Sequence, residues 1–584
     1  MISILQASVF FLPFSSALSF TPCPLLGPAF PPFSLDTNDK TIAGALKNLT
    51  QEFDALVAKN TGAHGDISPN TTFSIALFSS DAGNAKDEPF FWQYHHTAPT
   101  LNQSSVGSRV ADKHSIYRIG GLTEVFTVWS LLTGDGDQVL DDPVTKYLPE
   151  LVDATKEQDM IGHTRWDDVT VGQLASHMSG IARDYCSKDV TLQTGPAEAG
   201  LPPRQAIHMP CCGDDFKCDD SDFIRHLANR THVAPAGGTP SYSNMAFQLL
   251  GYIVEKRTGK PFSKALQHDI FDILGMTETS IFAPANTTAG IIPVSKQASG
   301  WLAHHEADKA QCIHARSKSL FSSVKDLARA GQAILNSTLL SKPQTTRWFK
   351  PVSHTSNPVN SIGFPWVIYS AGSYPDTSMI DIYTVLSNEG NDESLYSSYL
   401  GLVPDFGVGF AILSADNKAP ADLNAHADLI GDVVLEALMK TAIEQAAENF
   451  GGAYKTSDIN SSIAVEFDSL PGLYIQEFVS NGTDFRATLA GIMGIAKPAD
   501  LSIRLYPTQL VQDFSSGSRQ AFRAVFQDVT ELADNDTPTC VSWLDLDRLQ
   551  YGGRGLDEFI FSLDQSGQPV SVEIPALQVS LRKN

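Results

Sequence analysis

Tyr117-Arg118-Ile119-Gly120-Gly121-Leu122-Thr123-Glu124-Val125-Phe126-Thr127 is the stretch on which the reading of this chain turns. It opens a helix that runs to Thr133-Gly134-Asp135-Gly136, where the glycines interrupt helical periodicity. At the helix start lies Gly121, which carries no side chain, and three residues on lies the anionic Glu124. Upstream, apolar Ile42, Leu46, Phe53 and Leu56 predict a helix over 41–59, and Thr72-Phe73-Ser74-Ile75-Ala76-Leu77-Phe78 predicts a strand. Downstream, a helix over about 244–259 is expected to bury Leu249, Leu250, Ile253 and Val254. Strands are expected near 378–385 and 407–413, and a long helix near 421–449 closes the unit.

From about residue 450 the pattern changes. Gly451-Gly452-Ala453-Tyr454, Ser462-Ile463-Ala464-Val465-Glu466-Phe467 and Gly472-Leu473-Tyr474-Ile475 alternate apolar and polar residues between turns, as do 570–574 and 577–581. This predicts a separate, mostly antiparallel β domain over 450–584, of lipocalin-like or other barrel-like form. A chain of 584 residues with 42% hydrophobic and 18% charged residues has ample material for two cores. Its formal charge of −24 argues against nucleic acid and against an anionic membrane surface as partners, because both need clustered Lys and Arg.

Residues 1–19 read as a signal peptide, with the apolar run from Met1 to Pro13 followed by Ala17-Leu18-Ser19. Asn-x-Ser/Thr triplets at Asn48, Asn70, Asn102, Asn229, Asn286, Asn336, Asn460, Asn481 and Asn535 are candidate glycosylation sites of a secreted protein. Cys186, Cys211, Cys212 and Cys218 suggest a disulfide-pinned insertion over about 184–235. The cysteines number seven, so at least one is free or pairs between chains, and the connectivity stays open. No metal site is expected, since neither the Cys211-Cys212 pair nor His304-His305 has ligand spacing, and no cofactor is called for.

Further landmarks follow the Gly121 stretch in order: Leu140-Asp141-Asp142-Pro143-Val144, His177-Met178-Ser179-Gly180, Ser241-Tyr242-Ser243-Asn244 and Leu274-Gly275-Met276-Thr277-Glu278-Thr279. Together they resemble the serine β-lactamase and penicillin-binding protein superfamily, and most of all the secreted β-lactamase-like proteins of filamentous fungi. The resemblance covers roughly residues 40 to 445 and implies an α/β fold, an antiparallel sheet with helical layers, for a domain over 20–445. It also implies a pocket between the sheet and the helical part. In that superfamily S-x-x-K opens the first helix, its serine being acylated and its lysine taking the proton. Gly121 stands at the serine position and Glu124 at the lysine position, while Tyr242 and Asn244 match the family's Y-x-N. The strand motif K-T-G or H-x-G matches Asn388-Glu389-Gly390, with the base replaced. His177 matches a scaffold position.

Glycine at 121 rules out an acyl-enzyme there. Losing both cations disfavours anionic substrates, and Glu124 beside Tyr242 disfavours the phenolate. The pocket, lined by Gly121, Glu124, Tyr242, Asn244, Asn388 and Gly390, is expected to take a neutral or cationic small molecule. The leading expectation is a non-hydrolytic, ligand-binding pseudoenzyme. One alternative is a repurposed enzyme of secondary-metabolite biosynthesis in which Glu124 and Tyr242 act as acid and base in a cyclisation, isomerisation or hydrolysis, with the Gly121 amide donating a hydrogen bond. The other is a serine-type esterase with a displaced nucleophile, Ser243, Ser387 or Thr123, although such hydroxyls more often cap helices and turns.

Overall fold

The computed structural model describes residues 20–584 apart from 81–87, 105, 156–160, 162, 185–199, 203–222, 225–226, 229, 303–317, 372–379, 389–393, 469 and 531–539. The signal-peptide reading, Asn229, Asn535, Gly390, His304-His305 and the cluster of Cys186, Cys211, Cys212 and Cys218 all lie outside the described residues. Two compact units emerge. One takes Ser34–Ala371 and Ile380–Leu438, and the other takes the described residues up to Phe33 together with Met439–Asn584.

In the first unit, helix α1 (Lys40–Lys59) is started by Asp39, whose carboxylate accepts the Thr41 and Ile42 amides. It turns Ile42, Leu49, Phe53 and Leu56 inward. The sheet has eight antiparallel strands: β1 (Thr72–Ser79), β2 (Trp92–His96), β3 (Ser353–His354), β4 (Asn360–Ile362), β5 (Val367–Ala371), β6 (Ile380–Asn388), β7 (Tyr396–Val403) and β8 (Val408–Ala415). Their spatial order is β2-β1-β8-β7-β6-β5-β4-β3. Every residue of β1 and β8 is buried, so these central strands are covered on both faces. Helices α2 (Thr123–Asp135), α3 (Asn244–Thr258) and α4 (Val324–Leu335) supply most of the remaining core, with Trp129, Phe247 and Leu327 almost wholly enclosed.

The helix expected over 421–449 is instead two helices, α5 (Asn424–Ile430) and α6 (Glu436–Phe450). A π-helical turn, Gly431–Leu435, separates them. Such an inserted residue shifts the buried face without ending the helical run, which is why the periodicity read as one element.

The second unit is a closed barrel. Its strands are β9 (Gly452–Thr456), β10 (Ser461–Glu466), β11 (Leu473–Ser480), β12 (Leu501–Phe514), β13 (Gly517–Asp528), β14 (Glu558–Leu563), β15 (Pro569–Ile574) and β16 (Val579–Lys583). They pair in the order β10-β9-β16-β15-β14-β13-β12-β11, and β10 pairs with β11 to close the ring. Closure removes the exposed edges of an open sheet. Its interior is packed with side chains: Phe561 lies 5.1 Å from Phe522, 5.2 Å from Phe450 and 5.6 Å from Tyr454, ring centre to ring centre. A disulfide joins Cys23 to Cys540 within this unit, a pairing the sequence reading did not anticipate. The long β12–β13 hairpin was also unread. Pro507 interrupts the strand pattern, and the pairing register slips between Pro507 and Val511.

Candidate active site

The turn that carries Gly121 is held from three sides. Gly120–Leu122 form one 3₁₀ turn leading into α2, and all three residues are buried. The Ile119 amide donates to Leu320 O at 2.9 Å, Ser398 Oγ of β7 donates to Ile119 O at 2.7 Å, and Thr123 Oγ1 donates to Gly120 O at 2.6 Å. Gly120 has φ of +49°, a left-handed conformation that a side chain would strain. Gly121 has no such backbone. A Cβ built there would stand 3.4 Å from Ser387 Cβ and Oγ and 3.8 Å from the Tyr242 hydroxyl, ordinary contact distances. A Cβ at residue 121 is therefore tolerated, and the backbone there does not require glycine.

Glu124, one turn further on, is only 2% exposed. Its Oε1 lies 2.8 Å from the Tyr242 hydroxyl, which also lies 3.0 Å from Asn244 Oδ1. Its Oε2 lies 3.6 Å from His177 Nε2. The Ser243 amide donates to His177 Nδ1 at 3.3 Å, which assigns the neutral ring's proton to Nε2, the nitrogen facing the carboxylate. The His177 ring packs 4.5 Å from the Tyr242 ring, and its backbone has φ of +56°, uncommon for a residue with a side chain. The position that the resemblance assigned to the scaffold thus lies directly against Glu124 and Tyr242.

Tyr242 precedes α3, whose N-cap is Ser243. That hydroxyl accepts the Ala246 amide at 3.1 Å and donates to Ala182 O at 2.7 Å. Ser243 and Thr123 are thereby spent on local structure, as hydroxyls at helix starts usually are. Ser387 is different. It lies near the end of β6 and accepts the Gly121 amide at 2.8 Å. The amide expected to serve a ligand is therefore taken by a side chain from the facing strand. Asn388 closes the same strand, its side chain outside the described set.

Two pocket residues were missed from sequence. Arg183 stacks its guanidinium 4.7 Å from the centre of the Tyr242 ring, and Asp184 accepts a hydrogen bond from Asn244 Nδ2. Arg183 Nε also donates to Asp184 at 3.1 Å, and Arg183 O accepts the Asn244 amide at 2.9 Å. No periodicity or motif in the sequence singles this dipeptide out. Among the described residues, Glu124, Asp184 and Arg183 thus place two carboxylates and one guanidinium around Tyr242 and Asn244. Among the described residues, no group of three or more His, Cys, Asp or Glu is arranged to hold a metal ion.

A family model described as Beta-lactamase matches residues 102–435, which takes in every residue of this pocket. The chain belongs to the beta-lactamase family. A second model, described as a Beta-lactamase-like-like C-terminal domain, matches residues 442–584 of this beta-lactamase family chain and so covers the barrel. A beta-lactamase-like protein of Arthroderma benhamiae is 28% identical over 583 residues, covering 93% of this chain and 92% of the relative. A protein of Phoma sp. named a probable hydrolase is 24% identical, covering 95% of this chain and 89% of the relative. Another so named, from Cochliobolus lunatus, is 25% identical and covers 84% and 82%. Among solved structures, a penicillin-binding protein homologue from Pyrococcus abyssi aligns with a TM-score of 0.45 and 17% identity, over 93% of this chain and 100% of that one.

Proposed function

We propose that this beta-lactamase family chain is an acid–base enzyme that acts on a neutral or cationic small molecule without covalent attachment at residue 121. The observation that carries this reading is the enclosed Glu124, with the Tyr242 hydroxyl on one oxygen and the His177 Nε2–H facing the other. Burying a carboxylate costs several kcal/mol unless its partners compensate, and groups kept at that cost cluster at functional sites. For hydrolysis of an ester, water adds its oxygen to the acyl carbon while its proton goes to the Tyr242–Glu124 couple. The same proton returns to the departing alcohol. The names of the Phoma and Cochliobolus relatives support hydrolysis over the other acid–base reactions.

A second reading is favoured by one contact. The Gly121 amide donates to Ser387 Oγ at 2.8 Å, which brings a hydroxyl from the opposite strand to the place of the missing serine. In that reading Ser387 is acylated. Intact-mass analysis after incubation with a fluorophosphonate probe, beside turnover of a nitrophenyl ester panel, separates the two. Turnover without an adduct supports the water route, and an adduct mapped to Ser387 supports the second reading. Silence in both assays defeats ester hydrolysis by either route and leaves ligand binding or non-hydrolytic chemistry as the function of the pocket.

We also propose that the protein is secreted and glycosylated. The Cys23–Cys540 disulfide supports an oxidising compartment, and among the described residues no helix is long and apolar enough to cross a membrane. Asn48, Asn102, Asn286, Asn336, Asn460 and Asn481 are exposed.

A further inference from the structure

Away from the Gly121 pocket, a cleft of about 320 Å³ opens in the same unit where β8 runs into α5. His426 of α5 lines it, along with Asp66, Ser68, Asp416, Lys418 and Asp422. His426 is fully buried, and neither ring nitrogen has a hydrogen-bond partner among the described residues. Its ring packs against Phe73, 4.8 Å away edge-on, and Phe53, 6.1 Å away. A phenylalanine would fill this aromatic nest without leaving two polar atoms unmet, so packing gives no reason for an imidazole here. Burial pushes its pKa down to about 4 against the opposing pull of Asp422, so the ring stays neutral near pH 7, one nitrogen a donor and the other an acceptor.

The groups around it select the sign of the ligand. Asp416 is 1% exposed, its oxygens accepting the Thr71 hydroxyl at 2.9 Å and the Lys418 amide at 2.8 Å, and each carboxylate oxygen retains a further lone pair. Asp66 and Asp422 are exposed carboxylates on the same lining, and Lys418 is an exposed cation. Three anions against one cation favour a positive guest. Ile67 and Pro420 add apolar surface. The volume lies at the lower end of the range for small-molecule sites.

We propose that this cleft is a second binding site, separate from the Gly121–Glu124–Tyr242 pocket, for a small organic cation that carries N–H donors, an alkylammonium or guanidinium group. The N–H groups meet Asp416 and Asp422, the unpartnered His426 nitrogen accepts, and the hydrocarbon body lies on Ile67 and Pro420.

Titration calorimetry of the full chain with n-butylammonium chloride, against sodium n-butyrate, tests it. Saturable one-site binding of the cation and none of the anion is expected. Asp422→Asn should weaken binding about tenfold or more; asparagine keeps an oxygen for the Asn424 amide, so the fold is spared. His426→Phe should abolish binding and raise the melting temperature, since it removes an unmet polar ring from an aromatic nest. Glu124→Gln should leave binding unchanged. The proposal is overturned by absence of saturable binding, by equal binding of butyrate, by a His426→Phe protein that binds as wild type does, or by loss in Glu124→Gln with retention in Asp422→Asn. The last result would put the cation in the first pocket.

Discussion

Glu124, Tyr242 and His177 in one unit, and Phe450, Tyr454, Phe522 and Phe561 in the other, are both largely withdrawn from water, yet they are made of opposite materials. The barrel cluster is almost all ring carbon, and its one polar tip, the Tyr454 hydroxyl, donates to Phe450 O at 2.9 Å. Nothing in it asks for a guest. The pocket cluster sets a carboxylate, a phenol and an imidazole against one another, where every desolvated group must be met by a partner. Burial alone therefore does not separate structure from function. What separates them is whether the buried groups would be replaced, without loss, by hydrocarbon.

The largest effect should fall on the barrel. Phe561→Ala removes the ring that three others touch and should cost about 3 to 5 kcal/mol of that unit's stability, read by calorimetry. Ester turnover by the intact chain at low temperature should be unchanged. Loss of turnover would break the division of labour between the clusters.

Glu124→Gln should show the reverse. It keeps the shape and an acceptor for Tyr242 but removes the base, so turnover should fall about a hundredfold or more while the melting temperature holds or rises. Unchanged turnover would reduce Glu124 to a structural acid.

Asp326 sharpens the comparison, because it is a buried carboxylate with a purely structural task. It accepts the Glu278 amide at 2.7 Å and the Thr279 hydroxyl at 2.9 Å, and burial pushes its pKa up to about 6. A carboxyl that holds its proton more tightly when folded favours the native state most at low pH. That advantage is lost as pH rises through about 6. Between about pH 4 and pH 7 wild type should thus lose on the order of 2 to 3 kcal/mol that Asp326→Asn does not, measured by urea unfolding. Parallel stability curves would refute the assignment.

Smallest of all, Gly121→Ala should change stability by no more than about 1 kcal/mol, since its backbone is unstrained and its methyl meets Ser387 at 3.4 Å. A large loss would mean the turn has closed around the glycine.

Much of this chain could be read from local pattern. Helices α1, α2 and α3 and strands β1 and β8 follow from periodicity and capping residues such as Asp39 and Ser243, which act over a few neighbouring positions. Ordered motifs single out Gly121, Glu124, Tyr242 and Asn244 in the sequence, and the structure brings these four residues together. The barrel-like form was expected, but the β10–β11 pairing that closes it, the Cys23–Cys540 pair, 517 residues apart in sequence, and the approach of Ser387 to Gly121 were not legible. Nor was the place of His177 against Glu124, or of Arg183 over Tyr242. Each of these joins residues that no local rule relates. Periodicity decides which face of an element is apolar, but which two faces meet is set by packing across the whole core, and so only the tertiary structure could decide the chemistry of the pocket.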